Sequence, residues 1–415
     1  MRNSSRGFIF LAIMLLLDWY VFTILKVVTQ NASGRARTVL FAAYWSLSVL
    51  AVLALLFMPA INSSALPKGF RNAIFVSVVG LFFGKLIASV FFLIDDIRRL
   101  FQWAAGRLFF HNTETEQVQN NGISRSVFLS WAGLAAGGTL FAGLLYGMGN
   151  KYSYRVRTVR LQYPNLPAAF RGMKVVQISD VHSGSFTDPA AVARGIEKIN
   201  ALGADLILFT GDLVNNIAPE MDGYTDIFRR LKAPMGVYSV LGNHDYGDYH
   251  NWSSAADKQA NLQRLKELQG AMGWRLLMNE HVLLERGGEQ IALLGIENWG
   301  AKASFPKYGR LHEAYPGTES VPFKILMSHD PSHWDAEVRT KYPDIDLMLS
   351  GHTHGMQFGV EIPGFRWSPV QYVYRQWAGL YEEGAQKLYV NRGFGFLGYP
   401  GRVGILPEIT LLEFV

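Results

Sequence analysis

Four apolar stretches, at about 8–28, 39–60, 73–94 and 127–148, constrain this chain more than any other feature of its sequence. Each is long enough to cross a hydrocarbon core, which takes roughly 20 helical residues. One cleaved signal peptide, with its apolar region of about 7–15 residues, does not account for four such spans. Buried helices of a soluble protein would need a second large core. Residues 1–150 are therefore read as an all-α bundle of four transmembrane helices. Charge agrees, because residues 1–150 carry 12 Lys/Arg against 5 Asp/Glu, and the rest of the chain carries 27 against 28. The basic excess belongs to the membrane part, and no nucleic-acid partner is expected. With 49% hydrophobic and 17% charged residues, disorder and fibrous repeats are excluded. The absence of cysteine excludes disulfides, thiol catalysis and Cys-based zinc sites.

Asp18 and Lys85 fall mid-span and would be costly facing lipid; they are read as a pair inside the bundle rather than as a transport path. Lys26, Arg35 and Arg37 follow the first span, and Arg98, Arg99, Arg107 and Arg125 follow the third. Arg2 and Arg6 precede the bundle, and Lys68 and Arg71 follow the second span. Seven basic residues against four put the first and third loops in the cytoplasm and the C-terminal part outside. Lys151, Arg155, Arg157 and Arg160 point the other way. The string SRSVFLS at 124–130 resembles a twin-arginine export signal in which Ser126 replaces the second arginine, and such a signal sends the downstream chain outward. The expectation is an integral protein of a bacterial inner membrane with its C-terminal domain extracytoplasmic.

After a linker at 151–172, expected to have no fold of its own, residues 173–415 change character. Apolar runs at 173–179, 204–210, 235–241, 290–296, 323–328, 344–350 and 408–414 alternate with amphipathic stretches such as 190–200 and 255–271. That alternation predicts a layered α/β domain. The acids and histidines fall directly after these runs: Asp180 and His182, then Asp212, then Asn243, His244 and Asp245, then His329, then His352 and His354. Ligands of α/β sheets bind outside the carboxyl ends of strands, so the pattern predicts one crevice lined by carboxylate, amide and imidazole groups. Donors of this kind, without sulfur, suit Mn²⁺, Fe or Zn²⁺.

The ordered strings DVHSG, TGDLVNN, LGNHDY, MSHDP and SGHTHG, with the late stretch GYPGRVGILPEITLLEF, resemble the calcineurin-like metallophosphoesterase superfamily. The similarity is nearest to the subgroup with N-terminal membrane segments, which includes exported phosphoesterases and UDP-2,3-diacylglucosamine hydrolases. The resemblance implies a four-layer α/β/β/α domain holding two divalent metal ions. It puts the first on Asp180, His182, Asp212 and His354, and the second on Asp212, Asn243, His329 and His352. By the same resemblance His244 stands over the site to protonate the leaving oxygen or stabilise the phosphoryl group, with Asp245 orienting its ring. The implied reaction is hydrolysis of a phosphomonoester, phosphodiester or pyrophosphate by metal-activated hydroxide, with a lipid-linked substrate as one option. Pyrophosphate hydrolysis of the UDP-2,3-diacylglucosamine type, as in lipid A synthesis, is the alternative. A transporter or receptor whose soluble domain only senses phosphate is the alternative of another class.

Neither a Gly-x-Ser-x-Gly elbow nor a phosphate-cradling Gly-x-x-x-x-Gly-Lys loop occurs, so serine hydrolysis and ATP-driven chemistry are not expected. His250, His281, His312 and His333 lie outside the motifs and are read as surface or loop residues, with His333 near enough to His329 to turn toward the site. The loop 246–254 is a candidate rim. The aromatic-rich stretch 358–399 is expected to pack beneath loops rather than at a membrane interface, and Arg392 and Arg402 to bond backbone carbonyls rather than phosphate.

Overall fold

A computed structural model describes residues 2–63, 66–109, 125–302 and 305–415. The chain divides into two compact units, Met1–Tyr146 and Gly147–Val415. The first is helical, built on Arg2–Val28, Gly34–Leu56, Lys68–Phe109 and Arg125–Gly147. Within their apolar windows only 11–33% of residues are buried, so most of the apolar surface needs lipid rather than protein against it. Gly84 and Gly137 let two of the helices touch backbone to backbone. A Cβ on Gly84 would stand 2.8 Å from the Gly137 carbonyl, the close approach that small residues allow in membranes.

The mid-span charges pair as expected. Lys85 bonds Asp18, Ser48 Oγ donates to Asp18 Oδ1 at 3.0 Å, and Lys85 donates to Ser48 Oγ at 2.8 Å. Arg98 and Arg99, expected in a loop, lie instead on the third long helix beside Asp95 and Asp96. That helix has 42 residues, about 63 Å at 1.5 Å per residue, so it outruns a hydrocarbon core of about 30 Å. Of the export-like string, Ser124 lies outside the described residues, and Arg125–Ser130 begin the fourth long helix.

Along the second unit the strands are β1 (Arg155–Leu161), β2 (Lys174–Ile178), β3 (Leu206–Phe209), β4 (Val237–Ser239), β5 (Trp274–Leu276), β6 (Glu280–Arg286), β7 (Glu289–Gly295), β8 (Lys324–Met327), β9 (Leu347–Ser350), β10 (Val360–Ile362), β11 (Phe365–Trp367), β12 (Gly379–Glu383), β13 (Gln386–Val390) and β14 (Glu408–Phe414). They form two six-stranded sheets, ordered β1-β14-β2-β3-β4-β5 and β12-β13-β9-β8-β7-β6, and a two-stranded ribbon β10-β11. All seven apolar runs read from the sequence are strands.

Alternate residues of each central strand serve different layers. Val175, Leu206 and Leu208 meet Ile325, Met327, Leu347 and Leu349 between the sheets. Val176, Ile178, Ile207 and Phe209 face outward onto Val192, Ile196 and Leu265 of the helices Pro189–Asn200 and Ala255–Ala271. Leu326 and Met348 face Leu311, Trp334 and Val338 on the other side. Two sheets covered on both outer faces give four layers, and a strand buried on both sides reads as an unbroken apolar run.

The segment 151–172 is not the foldless linker expected. Its strand β1 pairs in parallel with β14 from Arg155↔Glu408 to Leu161↔Phe414, and Leu161, Tyr163, Leu166 and Phe170 are buried between the sheets. Three basic residues in this seven-residue edge strand hide its apolar partners from a sequence reading. Arg155, Arg157 and Arg160 dominate the pattern, and only the register with β14 shows which face is covered.

Candidate metal centre

Every motif residue sits just past the carboxyl end of a strand, and several hold a backbone conformation that side chains usually avoid. Asp180, His182, Asp212, His352 and His354 have φ between 48° and 70°. Such left-handed residues cost of order 1 kcal/mol or more each and persist where the surroundings fix them. Here neighbouring loops do the fixing. Asp180 N donates to Gly211 O at 2.9 Å, Val181 N to Asp212 O at 2.8 Å, and Gly351 N to His329 O at 2.9 Å. Gly211 itself has φ 100°, and a Cβ on it would meet Gly242 N at 2.5 Å, so only glycine lets these two loops touch.

Two groups of donors result. Asp180, His182 and His354 bring their ligand atoms within 4.8 Å of one another, and so do Asp212, His329 and His352. Asp212 lies between the groups: Oδ2 is 3.1 Å from His329 Nε2 and 3.5 Å from His182 Nε2, and Oδ1 accepts from His244 N at 2.8 Å. His354 Nε2 is 3.2 Å from Asp180 Oδ1. Asn243 Oδ1 is 2.9 Å from His352 Nδ1, and its amide donates to Tyr249 Oη at 3.0 Å.

The donor set fits cations. Nε2 of His182, His329 and His354, and Nδ1 of His182, are buried with no hydrogen-bond partner, an expense that a native core otherwise avoids. Their orientation is set from behind, as in metal sites. His329 Nδ1 donates to Thr210 O at 2.7 Å, which leaves Nε2 as the donor nitrogen. Electrostatics point the same way. Burial opposes charge on His329, yet the Asp212 carboxylate beside it raises its pKa to about 10, and burial pushes His182 down to about 3. Two buried carboxylates draw positive charge into the cleft.

The structure brings Asp180, His182, Asp212, Asn243, His244, His329, His352 and His354 to one crevice. It does not bring Asp245 to the task expected of it. That carboxylate is fully buried and accepts from Asp212 N and Gly242 N at 2.9 Å, Leu213 N at 2.8 Å and Val214 N at 3.3 Å. It ties two ligand loops together. The His244 ring is oriented instead by the Asn215 backbone carbonyl, 2.7 Å from Nδ1. Asp245→Ala would strand four buried N–H groups, so a loss of roughly 3 kcal/mol or more is expected. The check is a lower thermal unfolding midpoint of the purified protein whether or not divalent metal is added. A variant as stable as the parent would contradict it.

Three contributors were given no role by the sequence. Tyr374 Oη is 2.9 Å from His352 Nε2 and donates to Asp330 Oδ2 at 3.3 Å. Tyr249 sets its ring 4.6 Å from that of His244, tilted by 44°, which makes the loop after GNHD a rim in part. Asp330 had a signal, its place beside His329; Tyr374 had none. His333 does not turn to the site. It is buried between Ser328 Oγ at 3.0 Å and Glu337 at 3.2 Å, against Trp299, whereas His250 and His312 are exposed. Arg402 bonds the carbonyls of Arg392, Gly393 and Gly395, and Arg392 pairs with Glu408 and Glu361, so neither is free for phosphate.

Residues 173–356 match the calcineurin-like phosphoesterase family, and residues 4–151 match the transmembrane domain described for calcineurin-like phosphoesterases. The metallophosphoesterase YkuE of Bacillus subtilis is 31% identical over 301 residues, covering 70% of this chain and 96% of that protein. A zebrafish transmembrane protein with metallophosphoesterase domain is 29% identical over 64% of this chain; the match spans 59% of the zebrafish protein. The UDP-2,3-diacylglucosamine pyrophosphatase LpxG of Chlamydia trachomatis is 26% identical over 58% of this chain and 84% of its own. With both domain matches in register and the motif residues gathered in one crevice, this chain belongs to the calcineurin-like metallophosphoesterases that carry an N-terminal transmembrane domain.

Proposed function

We propose that this chain is a membrane-anchored phosphoester hydrolase working with two divalent cations, Mn²⁺, Fe or Zn²⁺. The observation that carries the reading is the pair of donor groups meeting at Asp212, with Nε2 of His182, His329 and His354 buried and without a hydrogen-bond partner. Asp180, His182, Asp212 and His354 would hold one ion, and Asp212, Asn243, His329 and His352 the other. Bound there, the two ions would lower the pKa of coordinated water and neutralise phosphate oxygens. The chain's own part is positional. Tyr374 and Thr210 fix the imidazoles of His352 and His329, and the Asn215 carbonyl holds His244 Nδ1, which leaves Nε2 to carry a proton to the leaving oxygen.

The purified full-length protein in detergent is expected to hydrolyse bis-p-nitrophenyl phosphate when Mn²⁺ is added and to lose turnover with a chelator. Metal binding without turnover of any phosphoester would favour a sensing domain instead.

For the substrate we favour a phosphomonoester, phosphodiester or pyrophosphate that is lipid-linked, supported by the membrane anchor and by the relative whose name specifies a diacylated sugar nucleotide. Hydrolysis of the UDP-2,3-diacylglucosamine type is the second reading. We further propose a bacterial inner-membrane location with the catalytic unit outside the cytoplasm, supported by the seven-to-four bias of basic residues toward the ends of the helices that join span one to two and span three to four. A C-terminal alkaline phosphatase fusion is then expected to be active and a green fluorescent protein fusion dark. The opposite pattern would put the site inside, where cytoplasmic UDP-linked substrates are found.

A further inference from the structure

The ribbon β10-β11 has its polarity inverted. In its antiparallel register Val360 faces Trp367, Glu361 faces Arg366, and Ile362 faces Phe365, so cross-strand partners share a face. The charged pair lies on the inner face, against the domain. Glu361 accepts from Arg157 Nη2 at 2.5 Å and Arg392 Nη2 at 2.7 Å. Arg366 donates to the Ala378 carbonyl and to Tyr381 Oη, and covers the Trp377 ring. The apolar pairs lie on the outer face, where Val360, Ile362 and Phe365 are 43–58% exposed. Half-buried ribbons of water-soluble domains are patterned the other way, apolar in and polar out.

The exposed apolar surface continues into Met356, Tyr372 and Val373. Met356 is two residues beyond His354, and Val373 adjoins the Tyr374 that holds His352. The patch therefore borders the metal centre.

What covers it is indicated by the chain itself. Gly147 ends the last long apolar helix and begins the second compact unit. Its carbonyl accepts from Arg402 N at 2.9 Å, and the next residue, Val403, accepts from Gly359 N at 2.9 Å through its own carbonyl. Arg402 and Val403 thus link the root of the ribbon, through two backbone hydrogen bonds, to the residue at which the last long apolar helix ends. Arg157, which grips Glu361 from β1, follows that span by ten residues. An exposed apolar patch next to the exit of a membrane span has one apolar phase at hand.

We infer that the outer face of β10-β11, with Met356, Tyr372 and Val373, seats in the headgroup–acyl boundary of a lipid bilayer. The depth such surfaces reach is about 5–10 Å, and the aromatic rings of Phe365 and Tyr372 suit that boundary. The seat depends on membrane anchoring and not on the reaction proposed above. The expectation that the aromatics of 358–399 pack beneath loops holds for Tyr374, Trp377, Phe394 and Phe396, which are buried, but not for Phe365 and Tyr372, which are exposed.

The absence of cysteine makes the test direct. Ile362→Cys and Phe365→Cys, each labelled with the environment-sensitive dye NBD, would be reconstituted as full-length protein into vesicles of phosphatidylethanolamine and phosphatidylglycerol. Leu283→Cys, on the exposed side of β6, is the reference. Doxyl-labelled lipid is expected to quench the dyes at 362 and 365 several-fold more than the dye at 283. Equal quenching at the three positions would overturn the proposal. A blue-shifted dye at 362 and 365 that doxyl lipid does not quench would overturn it as well, because a protein surface, such as a second copy of the chain, would then cover the face. No candidate metal ligand is altered, so a failed hydrolysis assay and a failed quenching assay can be told apart.

Discussion

Asp212→Asn is expected to lose more metal and more activity than substitution of any other single candidate ligand. Its carboxylate lies within 3.5 Å of imidazoles from both donor groups, and it also receives the His244 amide. Asparagine preserves the shape and removes the charge that offsets two dications. Residues that merely support a metal ligand typically cost 10–100-fold in affinity or activity when altered, so a shared ligand should cost at least about 10²-fold. Elemental analysis of the purified variant is the check, with clearly less than two equivalents of metal expected. Two full equivalents would mean that Asp212 does not bridge. His182→Ala and His329→Ala provide the comparison, since each belongs to one group only.

His244→Ala should behave in the opposite way, keeping its metal and losing turnover. The ring contributes to neither donor group, and its Nδ1 is already engaged by Asn215 O at 2.7 Å. Its backbone N–H, which bonds Asp212 Oδ1, survives the substitution. If Nε2 delivers a proton to the leaving oxygen, the loss is on the order of 10²–10⁴-fold for an alkoxide leaving group. It should shrink for p-nitrophenolate, which departs with little help. The measurement is kcat for good and poor leaving groups at matched metal content. An equal loss for both would assign His244 to the phosphoryl oxygens instead of the leaving group. Because Asn215 orients the ring through a main-chain carbonyl, Asn215→Ala should leave this effect largely intact.

The contrast between Asp245 and His244 shows where reading a sequence stops. Adjacent residues in GNHD invite the idea of a carboxylate steering an imidazole. In the fold the two side chains diverge, because Asp245 fills the space beneath the loops after β3 and β4 and answers four buried amides. Adjacency along a chain in a tight turn says little about which side chains share a direction.

What the sequence determined by itself is substantial, and it has a common cause. Four spans of lipid-compatible length and seven strands buried on both faces each impose a period and a length on the amino acids. Asp180, His182, Asp212, Asn243, His329, His352 and His354 were legible because strand ends are the one place where several loops of a layered α/β domain converge. Tertiary structure alone decided matters that depend on register and on distant partners. It placed β1 against β14 across some 250 positions of sequence, from Arg155 to Glu408, and hid a strand behind arginines. It chose Tyr374 to hold His352, a contact that no spacing encodes. It also turned Glu361 and Arg366 inward and Ile362 and Phe365 outward. The same alternation of residues would serve either orientation, and in this one Glu361 joins the guanidinium groups of Arg157 and Arg392.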